Sequence, residues 1–545
     1  MSQASITTPI HSTIPLTMSP LLRHWVQNVA LILLSLACLP ISTSILAFSL
    51  ALRPLLRWTR PPIPAGSRKT ILVTGVSMTK GMTILQLLAK HTGHRVICAD
   101  TSFLSPGGVS RYCDKFYQLP TPDQKQSSGY IQAMLDVVTT ENVDLWISCS
   151  GVLSAIEDAQ VKQILEKRTK CKAVQFDVEA TRTLHEKDLF MTFVRDECKL
   201  TIPETVEVRD KKKVLNILLS QLQNKGSGKI SNSIEPQKQY ILKPVGVDDA
   251  FRADMTLLPY SPTTAPKGMT PEEATRAHIE RLPIAKTRPW LLQEFIKGKE
   301  FCTHSIVVNG KVKAFLACPS AELLMHYEAL PPPEESGLTA AMLKFTETVA
   351  TVMQKKTSTE RSGGFTGHLS FDFLVKDEEL TSDGEITLYP IECNPRAHTA
   401  TVLFNNCPEA AQAYLKVLQE DNKTNGHAMT NGHSKERPFY PEDPARYYWL
   451  PHDLVTLVLL PILAVFLHVC GISIGWESHE NVRAQIQGFL DHLILWRDGS
   501  YSIDDPLPSW WLYHVYWPGQ FLKSLWTGKK WSRINVSTTK MFGLE

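Results

Sequence analysis

The chain has 545 residues, 43% of them hydrophobic and 20% charged, and this length predicts two to four domains because one hydrophobic core rarely supports so long a chain. A formal net charge of +3 gives no basis for a nucleic-acid partner, and we predict none. The 11 cysteines form no Cys-x-x-Cys pair, which argues against a zinc ribbon or a disulfide framework and favours a reducing compartment.

An uncharged apolar run near the N-terminus predicts a membrane anchor. Residues 25–52 contain no charged side chain, and about 20 such residues cross a hydrocarbon core of about 30 Å. We predict a transmembrane helix at about residues 29–52, inside an N-terminal segment 1–66. A cleaved signal peptide and a buried helix are alternatives, but the run is long for a signal peptide.

Basic residues follow this run and set its expected orientation. By the positive-inside rule they place the catalytic part of the chain in the cytosol, and we expect the membrane to be an endomembrane. The residues are Arg53, Arg57, Arg60, Arg68 and Lys69.

Alternating strand and helix patterns begin at residue 70. Residues 71–73 predict a buried strand, 78–90 a helix and 95–99 a second strand, and another such unit ends at 143–148. This alternation is typical of a parallel sheet with helices on its faces, so we predict an α/β class with a Rossmann-like domain at 67–180.

The turn after the first strand fits neither common nucleotide-binding motif. Lys80 and Gly81 precede Met82 rather than a Ser or Thr, and Ser77 stands where a Rossmann fingerprint needs its second glycine. Asp100 is a candidate ribose-binding acid for an NAD-dependent reductase, which the missing glycines disfavour. We expect this domain to bind a second substrate.

Two lysines and a strand have the character of a phosphate and nucleotide site. Lys187 opens a helical run, and Lys243 ends an apolar strand just before Pro244. A lysine is a point charge that suits phosphate oxygens. Residues 290–296 predict a strand that turns at Gly298 and delivers Glu300, where adenine and ribose could bind. Solvated lysines and an ordinary core strand are the alternatives.

The strongest local signal is a hairpin that carries acids. Asp372 lies in the apolar run 369–375, a turn is predicted at 377–384, and the run 386–391 delivers Glu392 and Asn394. Pro390 indicates an edge strand or a bulge. Residues two apart on a strand share a face, so the three oxygen ligands converge as Mg²⁺ prefers. A surface hairpin with solvated acids is the alternative.

The C-terminal part carries a second apolar run and an aromatic tail. Residues 454–474 could span a membrane, dip into it or lie flat, and a polar helix is predicted at about 477–497. The aromatic cluster at 508–517 suits either a membrane interface or an ordinary core. We predict a flexible linker at 421–438 and a membrane-associated region at 439–545, with a re-entrant second segment and a cytosolic tail.

These residues together resemble the ATP-grasp superfamily, from about residue 70 to about 415. More closely, the chain is similar to mycosporine-glycine synthase and its biosynthetic relatives. The stretches that carry this resemblance are Met78-Thr79-Lys80, Tyr240 to Lys243, Gln293-Glu294-Phe295, Gly298-Lys299-Glu300, Cys302 to Ser305, Ile391 to Arg396 with His398, and Asp504 to Pro508.

The resemblance implies a pre-ATP-grasp domain and then, at 181–420, two α+β subdomains that grip ATP. Lys187 and Lys243 would hold phosphates, Gln293, Glu294, Phe295 and Ile296 would line adenine, and Glu300 would hold ribose. Asp372, Glu392 and Asn394 would bind Mg²⁺, and Arg396 together with Lys243 would act in catalysis.

The implied function is an ATP- and Mg²⁺-dependent ligase of secondary-metabolite biosynthesis. It would phosphorylate a small acid or an enolisable ketone and couple it to an amine such as an amino acid, releasing ADP and phosphate. The loop 245–252 departs from the family because it has one glycine and two acids. A membrane scaffold that binds ATP without turnover is therefore the alternative.

Overall fold

The computed structural model describes residues 19–55, 59–64, 66–122, 128–151, 154–223, 238–245, 254–320, 325–357, 364–381, 384–419, 437–470 and 479–543. Within these ranges the chain is an α/β protein, which confirms the predicted class. Several predictions concern residues outside the described ones. They are Arg57, the loop residues 246–252, residues 382–383 of the predicted turn 377–384, all but the end of the linker 421–438, and residues 471–474 of the second apolar run.

Five parallel strands form the first sheet, in the order β3-β2-β1-β4-β5. Alternate residues of the central strand enter two different cores, with Ile71 and Val73 on one face and Leu72 on the other. Both faces are buried, as a parallel sheet requires. The strand-helix-strand prediction at 70–100 is confirmed. The strands are β1 (Thr70–Thr74), β2 (Arg95–Asp100), β3 (Phe116–Gln118), β4 (Leu145–Ile147) and β5 (Lys172–Val174), with helices Thr79–His91, Ser128–Glu141 and Ala155–Arg168.

The turn after β1 depends on glycine and on a buried acid. Gly75 has a φ of +73°, and a Cβ there would lie 2.7 Å from the carbonyl oxygen of Cys149. Asp100 accepts hydrogen bonds from the backbone N–H groups of Ser77 at 2.7 Å and Ser102 at 2.9 Å. Both oxygens of Asp100 therefore support this loop, which removes the candidate ribose-binding acid of the reductase alternative.

Three antiparallel strands form the second sheet, in the order β6-β8-β7. They are β6 (Thr205–Val208), β7 (Tyr240–Pro244) and β8 (Trp290–Glu294), and helices Lys211–Gln223 and Pro271–Arg281 cover them around the fully buried Trp290. The predicted strand 290–296 ends two residues early, at Glu294. It ends there because its pairing with β7 stops at Tyr240 opposite Glu294 and its pairing with β6 stops at Thr205 opposite Gln293.

Four antiparallel strands form the third sheet, in the order β10-β9-β12-β13. The strands are β9 (Gly298–Val308), β10 (Lys311–Pro319), β12 (Gly367–Lys376) and β13 (Tyr389–Asn394), with the short β11 (His326–Tyr327) between β10 and β12 in the chain. Helix Gly337–Thr357 covers one face, where the ring of Phe345 lies 5.1 Å from Phe371 and 4.9 Å from Phe373 between centroids.

The third sheet confirms the pairing of the predicted hairpin, but β13 begins at Tyr389 rather than at residue 386, and the short helix Asp377–Leu380 opens the predicted turn. The sheet also corrects the turn predicted at Gly298. Strands β12 and β13 pair with a bulge between Asp372 and Phe373, and Pro390 lies on the edge strand β13, as its ring and missing N–H favour. Gly298 was predicted in a turn but is the first residue of β9. A Cβ there would lie 2.0 Å from the carbonyl oxygen of Val375, so the close approach of β12 requires glycine.

Two helices connect β5 of the first sheet to β6 of the second. Helices Val178–His185 and Lys187–Asp196 pack on the core of the third sheet through Leu184, Phe190 and Val194. The predicted boundary at residue 180 falls inside the first of these helices, so the chain crosses that point without a break.

The C-terminal region is bound to the first sheet and to β11. Strands β14 (Tyr447–Tyr448) and β15 (Arg497–Asp498) join β11 in a small sheet. Asp505 accepts hydrogen bonds from Ser110 and from the backbone of Arg111, and Asp504 forms an ion pair with Lys90 at 2.9 Å. The remaining elements are helices Leu450–Asp453, Leu460–Val469, His479–Leu495, Leu507–Trp511 and Trp517–Thr527, π-helical turns Leu454–Leu459 and Leu512–Tyr516, and strands β16 (Trp531–Asn535) and β17 (Lys540–Gly543).

The N-terminal helix, Pro20–Leu52, begins nine residues earlier than the predicted residue 29. It starts there because Ser19 accepts a hydrogen bond from the Leu22 N–H at 3.2 Å and Pro20 occupies the first helical position. Four polar residues of this helix contact the C-terminal region. The pairs are Asn28–Trp531 at 3.1 Å, Ser35–Tyr513 at 2.8 Å, Thr43–Trp510 at 3.1 Å and Ser49–Tyr501 at 2.6 Å.

Two helices, Leu21–Leu52 and Leu450–Val469, are long and apolar enough to cross a membrane by length and composition. Large side chains remain exposed along both, for example Phe48 and Phe466. Such helices are weak support for a membrane anchor, since a signal sequence meets the same criteria.

Candidate functional site

The three predicted metal ligands lie together on one face of the third sheet. Asp372 on β12 stands directly opposite Glu392 on β13, and Asn394 follows two residues later on the same face. The Asn394 side-chain amide donates to Asp372 Oδ2 at 2.9 Å and to Glu392 Oε1 at 3.3 Å. The hairpin therefore presents the oxygen-rich ligand set that the sequence predicts.

Crowded negative charge is the main electrostatic property of this face. Burial raises the pKa of Asp372 well above its usual value, and the carboxylates of Glu392 and Glu300 raise it further. Partial desolvation and Glu392 likewise raise the pKa of Glu300, although its side chain stays accessible to solvent. Carboxylates held this close are favourable beside a cation. The donor set of two carboxylates and an amide suits Mg²⁺, which prefers oxygen ligands.

The two predicted phosphate-binding lysines come from two different elements near this acidic face. Lys187 is the first residue of helix Lys187–Asp196, and its Nζ lies 3.2 Å from Glu392 Oε2. Lys243 lies on β7 of the second sheet, and its Nζ donates to Gln293 Oε1 at 3.2 Å. Both ammonium groups act electrostatically on Glu300 and partly offset the rise in its pKa. We call the region where β8 of the second sheet leads into β9 of the third, bordered by these side chains, the cleft.

Part of the predicted adenine-binding segment is already hydrogen-bonded to neighbouring segments of the second sheet. The backbone N–H of Glu294 donates to the Glu204 carbonyl at 2.8 Å, and that of Phe295 donates to the Gln239 carbonyl at 2.7 Å. The buried Gln293 side chain accepts from Lys243 and donates to Thr205 at 3.2 Å. These groups are already hydrogen-bonded within the protein. A nucleotide base at Gln293, Glu294, Phe295 or Ile296 would therefore bond to the remaining polar groups of this segment. Gln293 positions the Lys243 ammonium.

Arg396 lies between the acidic face and the first sheet. Its backbone N–H donates to the Asn394 carbonyl at 2.7 Å, which turns the chain away from β13 just after the ligand set. The positive guanidinium partly offsets the rise in the pKa of Asp372, and it also disfavours the charged form of Lys80. The structure thus places Arg396 beside the candidate metal ligands, where a developing negative charge would be stabilised.

Lys80 is a residue of this region to which the sequence assigned no role. Its buried Nζ donates to the carbonyl oxygens of Ser150 and Ala397, each at 3.0 Å. Lys80 therefore joins the start of helix Thr79–His91 to the segment after β4 and to the segment that follows Arg396. Burial, followed by the charge of Arg396, lowers the Lys80 pKa to about 7. Two signals in the sequence point to it: its place in the stretch Met78-Thr79-Lys80 and its place at the start of a predicted helix.

Lys80→Met is expected to flatten the pH dependence of thermal stability above pH 7. Folded Lys80 has a pKa of about 7 against an ordinary 10.5, so between these values the unfolded state binds more protons than the folded state. Stability of the wild type therefore rises with pH across this interval, and the variant lacks that contribution. Melting temperatures of both full-length proteins, measured from pH 7 to 9, test this. Parallel curves would show that Lys80 keeps an ordinary pKa.

Three buried histidines form a neutral layer behind Arg396. Burial is the first cause that lowers the pKa of His304, His368 and His398, the last two to about 3. His304 Nδ1 lies 3.3 Å from the Ser370 hydroxyl, on the strand that carries Asp372. Neutral imidazoles support the hairpin without adding positive charge beside Arg396 and Lys80.

No protein-family model and no curated protein matches the sequence. Solved structures show a distant likeness. They include L-amino acid ligase from Bacillus licheniformis, with 14% identity and a TM-score of 0.37 over 63% of this chain and 69% of that chain. N5-carboxyaminoimidazole ribonucleotide synthetase from Thermotoga maritima has 12% identity and a TM-score of 0.39 over 64% and 76%. The biotin carboxylase–beta-gamma-ATP complex from Campylobacter jejuni has 14% identity and a TM-score of 0.42 over 67% and 72%. Identities and TM-scores this low carry no argument about function, so the function proposed for this chain rests on the side chains of the cleft.

Proposed function

We propose that this chain is an ATP- and Mg²⁺-dependent ligase of the ATP-grasp kind. The observation that carries the proposal is the set of Asp372, Glu392 and Asn394 on one face of the third sheet. Lys187 forms an ion pair with this set, and Lys243 acts electrostatically on the neighbouring Glu300. Crowded acids with lysines close to them are what a metal-bound triphosphate needs. The resemblance to mycosporine-glycine synthase and its relatives favours a role in secondary-metabolite biosynthesis.

Different residues of the cleft would bind different parts of the metal-bound ATP. Asp372, Glu392 and Asn394 would hold Mg²⁺, which neutralises phosphate charge when bound. Lys187 and Lys243 would each contact phosphate oxygens as point charges, and Lys243 would be kept in place by Gln293. Glu300 would accept hydrogen bonds from the ribose, and residues 293–296 would border the adenine.

The proposed reaction has two steps. An oxygen of a small carboxylic acid, or of an enolised ketone, attacks the γ-phosphorus of ATP, and ADP leaves. The nitrogen of an amine such as an amino acid then attacks the activated carbon, a C–N bond forms, and phosphate leaves with loss of an amine proton. Such chemistry depends on positioning and charge stabilisation, for which Arg396 and Lys243 are the candidate catalytic residues.

An ADP-release screen of the full-length protein tests this proposal. Amino acids are varied against candidate acids and cyclohexenones, in the presence of ATP and Mg²⁺. Release that requires both an amine and an acid or ketone is the expected result. ATP binding without release in any combination would instead support the ATP-binding membrane scaffold, and release that ignores the amine would contradict C–N bond formation.

We further propose that the protein is anchored in an endomembrane with its cleft facing the cytosol. Arg53, Arg60, Arg68 and Lys69 follow the N-terminal helix, and the positive-inside rule places this side in the cytosol. We expect the C-terminal tail on the cytosolic side as well, because Asp504 and Asp505 bond to Lys90 and Ser110 of the Rossmann-like domain. Helix Leu450–Val469 would then enter and leave the membrane on one side.

Asn535 is expected to carry no glycan when the protein is expressed in a eukaryotic secretory system. The sequence Asn535-Val536-Ser537 is an acceptor motif, but Asn535 and Ser537 are buried, and the Ser537 carbonyl accepts from the Thr79 N–H at 2.9 Å. Glycosidase treatment followed by electrophoresis measures this. A mobility shift that disappears in Asn535→Gln would show a lumenal tail and overturn the proposed orientation.

A further inference from the structure

A second cluster of metal-ligating side chains lies outside the ATP cleft. It consists of His326 on β11, Asp453 at the end of helix Leu450–Asp453, and His492 on helix His479–Leu495. His326 Nε2 lies 3.0 and 3.1 Å from the two Asp453 oxygens, and His492 Nδ1 lies 2.7 Å from Oδ2. Three distant chain segments thus bring two imidazoles and one carboxylate to a single point.

The burial of Asp453 gives this cluster its chemical interest. The Asp453 side chain is 0% exposed, whereas His326 and His492 are 25% and 19% exposed. A carboxylate without solvent is costly unless positive charge compensates it. The imidazoles of His326 and His492 are its hydrogen-bond partners, and a divalent cation bound at the same point would compensate its charge directly.

Aromatic rings surround the cluster on the protein side. The Trp496 ring lies 5.9 Å from His326 and 4.8 Å from His492, and the Tyr448 ring lies 5.8 Å from His492, all between centroids. Such apolar walls exclude water from the carboxylate and hold the imidazoles in place. The partly exposed edges of the histidines leave an approach from solvent for an ion.

We propose that His326, Asp453 and His492 form a site for a divalent metal ion of the zinc type. Two imidazole nitrogens and one carboxylate oxygen are a common protein ligand set for Zn²⁺, with a fourth position for water. Each imidazole would bind through the nitrogen that now faces Asp453, and any proton on that nitrogen would be released when the metal binds. Ligands about 2.0–2.1 Å from a tetrahedral ion stand about 3.4 Å apart. The two imidazole nitrogens lie 3.1 and 2.7 Å from Asp453 Oδ2, so these distances need to lengthen by about 0.3 and 0.7 Å, and all the donor atoms already lie within 4.8 Å of one another.

Such an ion would join the apolar C-terminal helices to β11 and so to the part of the chain that carries the proposed ATP site. Asp453 immediately precedes the apolar turn Leu454–Leu459, and His492 lies on the helix that packs against that turn. On β11, the neighbouring Tyr327 packs its ring 5.8 Å from Trp449 and 6.1 Å from His398, two residues beyond Arg396. The role we assign is structural, and it does not depend on the proposed ligase activity.

Metal content of the purified full-length protein tests this site. The protein is stripped with a chelator, dialysed against Zn²⁺ without ATP or Mg²⁺, and analysed for bound zinc. One zinc ion per chain is expected in the wild type, and its loss is expected in Asp453→Asn and in His492→Gln. The control His514→Ala removes a half-buried histidine of the same region, whose Nδ1 lies 3.0 Å from the Ser35 hydroxyl, and should retain the zinc.

Cobalt provides a second measurement that does not rely on variants. Co²⁺ in the stripped wild type should give the visible absorption of a tetrahedral nitrogen and oxygen site, and Zn²⁺ should displace it. Absence of zinc and cobalt uptake by the folded wild type would identify the cluster as a hydrogen-bonded triad and overturn the proposal. Equal zinc content in the wild type and the folded His492→Gln protein would overturn it as well.

Discussion

Glu392→Gln is expected to reduce amine-dependent ADP release by at least about 100-fold while the fold stays intact, on the scale seen when one preorganised electrostatic contact is removed. The substitution removes one negative charge at almost constant shape from a face where Glu392 stands opposite Asp372 and pairs with Lys187. On the proposed assignment, a metal ligand and the counter-charge of the phosphate-binding Lys187 would be lost together. Initial rates at saturating ATP and Mg²⁺, with circular dichroism as the check of folding, measure the effect.

Glu385→Gln is the matched control for this prediction. Glu385 is an exposed acid between β12 and β13, close in sequence to the ligand set but outside it. Its variant should release ADP at the wild-type rate. If folded Glu392→Gln also released ADP normally, Glu392 would not be a metal ligand, and the assignment of this face as the Mg²⁺ site would fail.

Lys243→Ala is expected to raise the KM for ATP by about 10-fold to 100-fold. A charge-assisted hydrogen bond to a phosphate oxygen contributes about 1.5–3 kcal/mol, and each 1.4 kcal/mol is a factor of ten in affinity. The structure supports this residue because Gln293 fixes the ammonium at 3.2 Å and because Lys243 acts electrostatically on Glu300 across the cleft. An ATP titration of ADP release measures the change.

Lys172→Ala serves as the comparison in the same titration. Lys172 is also a half-buried lysine on a strand, but that strand is β5 of the first sheet, outside the cleft. Its removal should leave the ATP requirement nearly unchanged. Equal shifts in the two variants would mean that Lys243 does not face the phosphates and that the lysine of the site lies elsewhere.

The hairpin of β12 and β13 could be predicted from the sequence because its determinants are local. Two apolar runs, a turn between them and the two-residue period of strands were enough to place Asp372, Glu392 and Asn394 on one face. The helix that begins at Lys187 and the strand that carries Lys243 followed from the same kind of pattern.

Contacts between distant parts of the chain could not be predicted in this way. Lys80 meets Ala397 across 317 positions of the sequence, and His326 meets Asp453 across 127. Neither pair has a spacing that a local motif would reveal, because the sheets alone decide which segments become neighbours. The end of β8 at Glu294 was missed for a related reason, since the strand stops where its partners stop.

The contact between helix Pro20–Leu52 and the C-terminal strands has a consequence for the synthesis of the protein. Trp531 donates to Asn28 across 503 positions, so at about 5–20 residues per second the helix waits roughly 25–100 s for this partner to be translated. During that time the polar side of the helix must be satisfied by water, by lipid headgroups or by a chaperone. A premature stop codon just before residue 531 would leave the Asn28 oxygen without its indole donor, so late truncations should impair assembly as early ones do.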